Sequence, residues 1–568
     1  MASARISSLL RKSSLIAPVH IRSFSLVNGQ CSNVKILTGE TMNPFVKQIE
    51  YAVRGAIVER ASALEKELMK GAQKPFKEVI KANIGDAHAL GMKPLTFPRQ
   101  VIAMCVCPEL LNSPDIPSDA KEKARKILSH TKGSSMGKLY VIAMCVCPEL
   151  LNSPDIPSDA KEKARKILSH TKGSSMGAYS DSQGLEGIRN NVAKYISDRD
   201  GYASNPSHIY LTSGASEAIR AILKLLQTSV NTGNGRAGIM IPIPQYPLYS
   251  ATLSEMNSYQ INYYLDEDNG WSLDMDELKR SLNEARPHCV PRALCVINPG
   301  NPTGQVLSYD NIQDIIKFCK AEKLVLLADE VYQANVYGEG KEFHSFKKVL
   351  RDLGPDYEDF ELISFHSTSK GFLGDIDFQI KFVVSVKVII VLVVTAAKLT
   401  PHVTFVTKIM CDILSTDLLK QAMMDCLVSP PQPGDESYDT FIKEKTAVLQ
   451  SFKDRAKLVA ETFNSMDGFQ CNEVMGAMYA FPRVFIPRKA QEEAKSKGMH
   501  PDSFYTLELL EKTGLCVVPG NGFGQRDGTF HFRLTILPPI DALKPLFERF
   551  KVFHQDFMRK YRDPSSTL

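Results

Sequence analysis

The sequence predicts an α/β fold built on a largely parallel sheet with both faces covered. Three observations predict it. Apolar, β-branched runs recur at His208–Thr212, Gly238–Pro242, Gln260–Leu265, Ala293–Asn298, Leu324–Ala328 and Leu362–Phe365. Helical segments stand between them, at 216–226, 274–284 and 309–322. Strands alternating with helices make parallel sheets, and strands buried on both faces read as continuous apolar runs. Finally, the chemically distinctive residues all follow a predicted strand, where open α/β sheets bind ligands.

In chain order, Thr212-Ser213-Gly214-Ala215-Ser216 closes one strand and opens a helix. Small residues there let backbone N–H groups reach an anion at the helix N-terminus. Pro242-Ile-Pro-Gln-Tyr246-Pro-Leu-Tyr249 is rigid and aromatic, able to offer Tyr246 as a flat face. Asn298-Pro-Gly-Asn301-Pro302 contains two Asn-Pro steps, which define a turn and are expected to point their amides outward. Asp329 ends a nearly all-apolar strand, and a buried acid needs a partner, usually a cation. Ser367-Thr368-Ser369-Lys370 follows the next strand and offers a nucleophilic amine. A phosphate on the Gly214-Ala215-Ser216 turn, a heterocycle on Tyr246, a ring nitrogen on Asp329 and an aldehyde held by Lys370 together describe pyridoxal 5'-phosphate.

Composition bounds the rest. Of 568 residues, 43% are apolar and 23% charged, as in ordinary globular chains. The net charge of +5 is too small to argue for nucleic acid. All of it resides in residues 1–39, where Arg5, Arg11, Lys12, Arg22 and Lys35 meet no acid before Glu40. A basic, Ser-rich, acid-free segment with interleaved apolar residues is the pattern of a mitochondrial transit peptide, so a matrix location is expected, with the cytoplasm as the alternative. The apolar run Val388–Val394 lies between Lys387 and Lys398, far short of the about 20 residues of a membrane span.

Residues 101–137 recur unchanged at 141–177. The twelve cysteines are inflated by this copy, and Cys105/Cys107 with Cys145/Cys147 are one pair written twice rather than a metal site. Two identical units do not make a solenoid, which needs three or more diverged repeats. Each copy reads as a Pro-punctuated loop and then a helix from Ser118 to His130, with Ser118 as N-cap. One copy is expected to be a surface excursion. The predicted organisation is a leader over 1–30, an arm over 31–100, the duplication over 101–177, a large cofactor-binding domain over 178–429 and a small domain over 430–568.

Several segments carry a family resemblance: Asn83–Val101, GAYSDSQG from Gly177, IPIPQYPLYSA from Ile241, INPGNPTGQVLS from Ile297, LLADEVYQANVY from Leu326, SFHSTSKG from Ser364 and VVPGNGFGQRDGTFHFRLTILPP from Val517. The sequence resembles the fold-type-I, class I/II aminotransferases, in their alanine-type branch, over most of residues 40–568. The resemblance implies a large domain with a mostly parallel sheet and a smaller α/β domain from both chain ends. It implies that Lys370 bonds the cofactor and shuttles a proton, that Asp329 keeps the ring nitrogen protonated, and that Tyr332 and Asn301 hydrogen-bond the ring oxygen. Tyr246 would stack on the ring, and Gly214, Ala215, Ser216 and Ser367 would hold the phosphate. Tyr179 would reach the neighbouring subunit's phosphate, which implies a homodimer. Arg533 would grip the substrate carboxylate and Gly85 would close over it. The implied reaction moves the amino group of L-alanine to 2-oxoglutarate, giving pyruvate and L-glutamate. Glutamate–glyoxylate exchange would use the same residues, and a non-catalytic relative is the competing class.

The resemblance breaks after Gly374. Family members carry there an arginine that pairs with the cofactor phosphate; Gln379 stands at its expected place, and no arginine occurs between Arg351 and Arg455. Family sequence returns near Gln421. The Val/Ile content of 375–420 suits retention of a sheet strand, and this segment, like the exact duplication, fits a wrongly joined coding sequence. A phosphate without its arginine loses a charge-assisted pair, so weak cofactor retention or misfolding is expected.

Overall fold

The structure is a computed structural model, and it describes residues 56–81, 95–106, 108–129, 183–184, 186–228, 232–373, 390–394, 424, 427–435 and 438–562. The leader, the second repeat copy, Gly85, Tyr179, Gln379 and most of 375–420 lie outside the described residues.

The strands in chain order are β1 (Ile80–Lys81), β2 (Ile209–Thr212), β3 (Ala237–Ile243), β4 (Tyr259–Tyr264), β5 (Val290–Ile297), β6 (Val325–Asp329), β7 (Leu362–Phe365) and β8 (Ile390–Val394). They continue with β9 (Phe469–Gln470), β10 (Tyr479–Ala480), β11 (Arg483–Val484), β12 (Leu515–Cys516), β13 (Val518–Pro519) and β14 (Phe532–Thr535). A seven-stranded sheet has the order β2-β8-β7-β6-β5-β3-β4. β4, β3, β5, β6 and β7 are mutually parallel, and β8 runs antiparallel to both β7 and β2. β2 is therefore parallel to β7. The six predicted strands are all present, with ends moved by up to three residues. The Val/Ile run in the atypical segment does supply a strand: Leu392 pairs with Tyr210 on one side and Phe365 on the other.

Alternation along the strands explains the double cover. Leu294, Val296, Leu326 and Ala328 enter one core with Leu278, Leu282, Ile312 and Ile316. Ala293, Cys295, Ile297 and Leu327 enter the other, with Ile219, Ile222, Tyr249 and Leu253. Successive side chains point to opposite faces, and helices cover each face. The helix Met275–Ala285 starts where Asp274 accepts from the Asp276 amide at 3.0 Å, and Tyr309–Glu322 where Ser308 accepts from the Asn311 amide at 3.2 Å. Such caps satisfy N–H groups that the first turn leaves unbonded.

The C-terminal part forms a third core around the helices Tyr438–Asn464, Pro501–Thr513 and Ile540–Tyr561, and Val331, Tyr332 and Tyr337 pack into it. Early residues join this part. β1 pairs with β12 in parallel, and Ile57, Ala61 and Leu64 pack on Leu510 and Cys516.

The second repeat copy lies outside the described residues, where the expectation of one surface excursion is not tested, and the first packs into the described structure. The helix Thr96–Val106 runs into it, burying Val101, Ala103 and Met104, and Ala120 and Ala124 of the helix Ser118–Ser129 are buried too. Phe97 meets Phe441 edge-on, and Phe441 meets Phe372 close to Lys370. Ser118 is not the cap. It is the first helical residue, and the Pro117 carbonyl accepts from the Lys121 amide at 3.1 Å. A proline just before the helix has no N–H to satisfy, so it fits the entry to the first turn.

Candidate active site

The carboxyl ends of β2, β3, β5, β6 and β7 share one edge of the sheet and deliver the predicted residues there. At β2, Gly214 sits at φ 144°, a backbone conformation that side chains rarely adopt, and precedes the helix Ala215–Leu225. No side chain caps that helix, so its first N–H groups, at Ala215 and Ser216, face the edge with the positive end of the dipole. At β7, Ser367 is buried and accepts from the Ser369 amide at 3.1 Å. At β3, the half-buried Tyr246 precedes the helix Pro247–Glu255.

Asp329 ends β6, level with Ile297 and Phe365 on its neighbours, and is 3% exposed. The Tyr249 hydroxyl donates to its Oδ2 at 3.0 Å, while Oδ1 is buried with no hydrogen-bond partner. Burial pushes the carboxyl up to about 6, against the Tyr249 hydroxyl, the Val331 amide and the Lys370 charge. Glu330, the next residue, points to the opposite side of the strand and accepts from the Phe346 amide at 2.8 Å.

Lys370 lies with Nζ 5.6 Å from the centre of the Tyr332 ring. Its turn is fixed by Gly371, at φ 77°, whose amide donates to Asn335 Oδ1 at 2.7 Å. Asn335 is fully buried and also donates to the Tyr337 hydroxyl at 2.9 Å. The Tyr332 ring stands edge-on to Tyr479 at 6.1 Å, and burial, then the Tyr479 phenol, holds its own phenol well above the ordinary range. Tyr332 is therefore a neutral donor near pH 7.

Arg533, on β14, is 2% exposed. Its Nη1 donates to Asn301 Oδ1 at 3.1 Å, and its guanidinium lies 4.2 Å from the Tyr479 ring centre and 4.9 Å from that of Phe523. The expectation that the Asn-Pro amides point outward is corrected here. Asn298 is fully buried and accepts from the Leu307 amide at 3.0 Å, and Asn301 turns in to Arg533. Inside a tight turn an amide side chain replaces backbone partners that the prolines cannot offer.

Ring and hydrogen-bond contacts thus join Lys370, Tyr332, Tyr479, Arg533 and Asn301, and the Lys370 charge acts on Asp329. Sequence reasoning left out Tyr249, Asn335, Tyr479 and Phe523. Tyr249 had a signal, since a buried strand-end acid requires a donor and a Pro-rich Tyr246/Tyr249 segment lies two strands away. A buried carboxylate with one unbonded oxygen, a nearby amine and an uncapped helix N-terminus fit the cationic ring nitrogen, aldehyde and phosphate of pyridoxal 5'-phosphate.

A family model, aminotransferase class I and II, matches residues 148–550, starting inside the second repeat copy. Alanine aminotransferase 2 of Xenopus tropicalis is 51% identical over 537 residues, covering 94% of this chain and 92% of that protein. Alanine aminotransferase 1 of Homo sapiens is 48% identical over 529 residues, covering 93% and 96%. Glutamate–glyoxylate aminotransferase 1 of Arabidopsis thaliana is 43% identical over 535 residues, covering 93% and 98%. Among solved structures, an alanine aminotransferase from Pyrococcus furiosus shares the fold with a TM-score of 0.62 at 19% identity, covering 90% of this chain and 99% of that one. With a family model over most of its length and relatives near half identity, this chain belongs to the class I and II aminotransferases.

Proposed function

We propose that this chain is a pyridoxal 5'-phosphate-dependent enzyme that transfers the amino group of L-alanine to 2-oxoglutarate, forming pyruvate and L-glutamate. The observation that carries the reading is the set of the half-buried Lys370 with the buried Asp329, Tyr332, Asn301 and Arg533, in a chain 51% and 48% identical to two alanine aminotransferases. The glyoxylate-linked relative is less similar, at 43%.

When bound, the cofactor supplies an aldehyde for the amino group and a ring that accepts the electron pair left at Cα. Asp329 Oδ1 is the buried acceptor for the ring nitrogen's proton. Lys370 Nζ would take the Cα proton of the substrate and carry it during the transfer. The neutral Tyr332 hydroxyl donates to the ring oxygen, and Asn301, whose Oδ1 is taken by Arg533, keeps its amide N–H for the same oxygen. Arg533 holds the α-carboxylate with two parallel N–H bonds, a geometry lysine does not have. The helix N-terminus at Ala215 and Ser216, with Ser367, holds the phosphate.

Two further proposals accompany this reading. The active form is a homodimer in which Tyr179 completes the neighbouring phosphate site, and residues 1–30 direct the chain to the mitochondrial matrix. Purified protein loaded with pyridoxal 5'-phosphate should release pyruvate from L-alanine and 2-oxoglutarate, with less product when glyoxylate replaces 2-oxoglutarate. Faster turnover of glutamate with glyoxylate than of alanine would overturn the assignment.

A further inference from the structure

We propose that His531 is a positioning residue that sets the aim of Arg533, and so governs capture of both substrates through their shared α-carboxylate. The proposal rests on Arg533 being the carboxylate fork.

His531 stands two residues before Arg533 and is 1% exposed. Its Nδ1 is 2.9 Å from Gln525 Oε1 and its Nε2 is 3.0 Å from Glu267 Oε1. The Gln525 amide cannot turn round, because its Nε2 donates to Asp502 Oδ2 at 2.8 Å. Gln525 Oε1 only accepts, so His531 Nδ1 donates to it, and Nε2 meets the Glu267 carboxylate. Both anchors are themselves held. Asp502 is fully buried and takes the Asn521 amide at 2.8 Å and His500 Nδ1 at 2.7 Å. Glu267 Oε2 lies 3.6 Å from Arg483, and the Glu267 carbonyl accepts from Asn472 at 2.7 Å.

The array reaches Arg533 through Phe523. The His531 ring stacks on Phe481 at 4.8 Å with 2° between planes, and Phe481 meets Phe523 edge-on at 5.6 Å. The His531 carbonyl accepts from the Gly520 amide at 2.8 Å, which starts the turn Gly520–Phe523. A Cβ on Gly520 would stand 2.6 Å from Gln525 Oε1 and 2.7 Å from the His531 carbonyl, so only glycine permits this approach. Phe523 then lies under the guanidinium. Glu267 belongs to the segment after β4, whereas His531, Gln525 and Asp502 belong to the C-terminal part. His531 therefore fixes the fork's supporting ring against the sheet that carries the cofactor site. The ring contacts of the array lead through Phe523 to Arg533, so its effect should fall on capture rather than on proton transfer.

The test uses the full holoenzyme. His531→Phe keeps the stack on Phe481 and removes both ring-nitrogen contacts. It should raise KM for L-alanine and for 2-oxoglutarate in parallel, by at least about tenfold, with kcat within threefold and cofactor content unchanged. Calorimetric titration with 2-oxoglutarate should show the same loss of affinity without turnover. Glu267→Gln, a milder change that keeps the shape, should move both KM values the same way, and His531→Gln, which restores a donor towards Glu267, should recover part of the loss. Unchanged KM and affinity in a His531→Phe protein that merely melts lower would overturn the proposal and leave His531 a core residue. A wild type that binds neither substrate would overturn the reading of Arg533 first, and this proposal with it.

Discussion

The two ends of the site are built on opposite plans. At the Arg533 end the protein supplies the surroundings itself: Asn301 on one nitrogen, Tyr479 and Phe523 on the ring faces, and the His531 array behind them. At the Asp329 end the protein leaves a buried oxygen without a hydrogen bond and carries the electrostatic cost as a carboxyl raised to about 6. One end is preorganised and the other is tuned by what binds to it. Damage at the first should appear in KM, and damage at the second in cofactor retention and pH response.

Loss of Lys370 or Asp329 at the cofactor end should have the largest effects. Lys370→Ala removes the only amine placed against Tyr332 among the described residues, and should lower kcat by at least about 10³-fold. Pyruvate release measured with saturating cofactor checks it. Asp329→Asn should weaken cofactor retention and also change pH response in the cofactor-free protein. Burial raises Asp329 from 3.8 to about 6 on folding, so the native state holds more protons between those values. Stability should therefore fall as pH rises from about 4 to 6, by about 3 kcal/mol from this group. Glu330, raised to about 7 by burial, acts with the same sign, so the contribution of Asp329 is the wild-type slope minus that of Asp329→Asn. Urea midpoints at pH 4.5 and 7 read the difference.

At the preorganised end the effect should be smaller and differently distributed. Arg533→Lys should reduce kcat/KM by about 10²-fold, mostly through KM, because a single ammonium cannot reproduce the bidentate grip. Tyr249→Phe, back at the cofactor end, should be the mildest, because it leaves both the Asp329 carboxyl and Lys370 in place. It removes one donor from Asp329 Oδ2, a bond to a charged group worth about 1.5–3 kcal/mol, and so should raise the Asp329 carboxyl further. Cofactor affinity measured from pH 5 to 8 should fall most at the acid end.

The same contrast marks what the sequence revealed. The sheet was legible because Val325–Asp329 and its neighbours are buried on both faces, so burial wrote itself as apolar runs. The strand-end acid, lysine and Asn-Pro turn were legible because chemistry restricts those residue types. Partners were not, since nothing local to Asp329 names Tyr249, 80 residues earlier, and nothing local to Arg533 names Asn301. The Asn-Pro amides were misjudged because turn propensity fixes backbone shape and leaves side-chain direction to the packing around it. The packing of the first repeat copy was not legible either: Val101, Ala103 and Met104 are buried, and a Pro-punctuated loop followed by a helix does not say so.

The most direct measurement is a single half-reaction. Purified protein is loaded with pyridoxal 5'-phosphate, dialysed, and given L-alanine without any oxo acid. The absorbance of the lysine-bound cofactor should disappear as pyruvate is released, one per cofactor retained, and Lys370→Ala should release none. A chain that retains cofactor through dialysis yet yields no pyruvate, or that yields it equally without Lys370, would contradict the account.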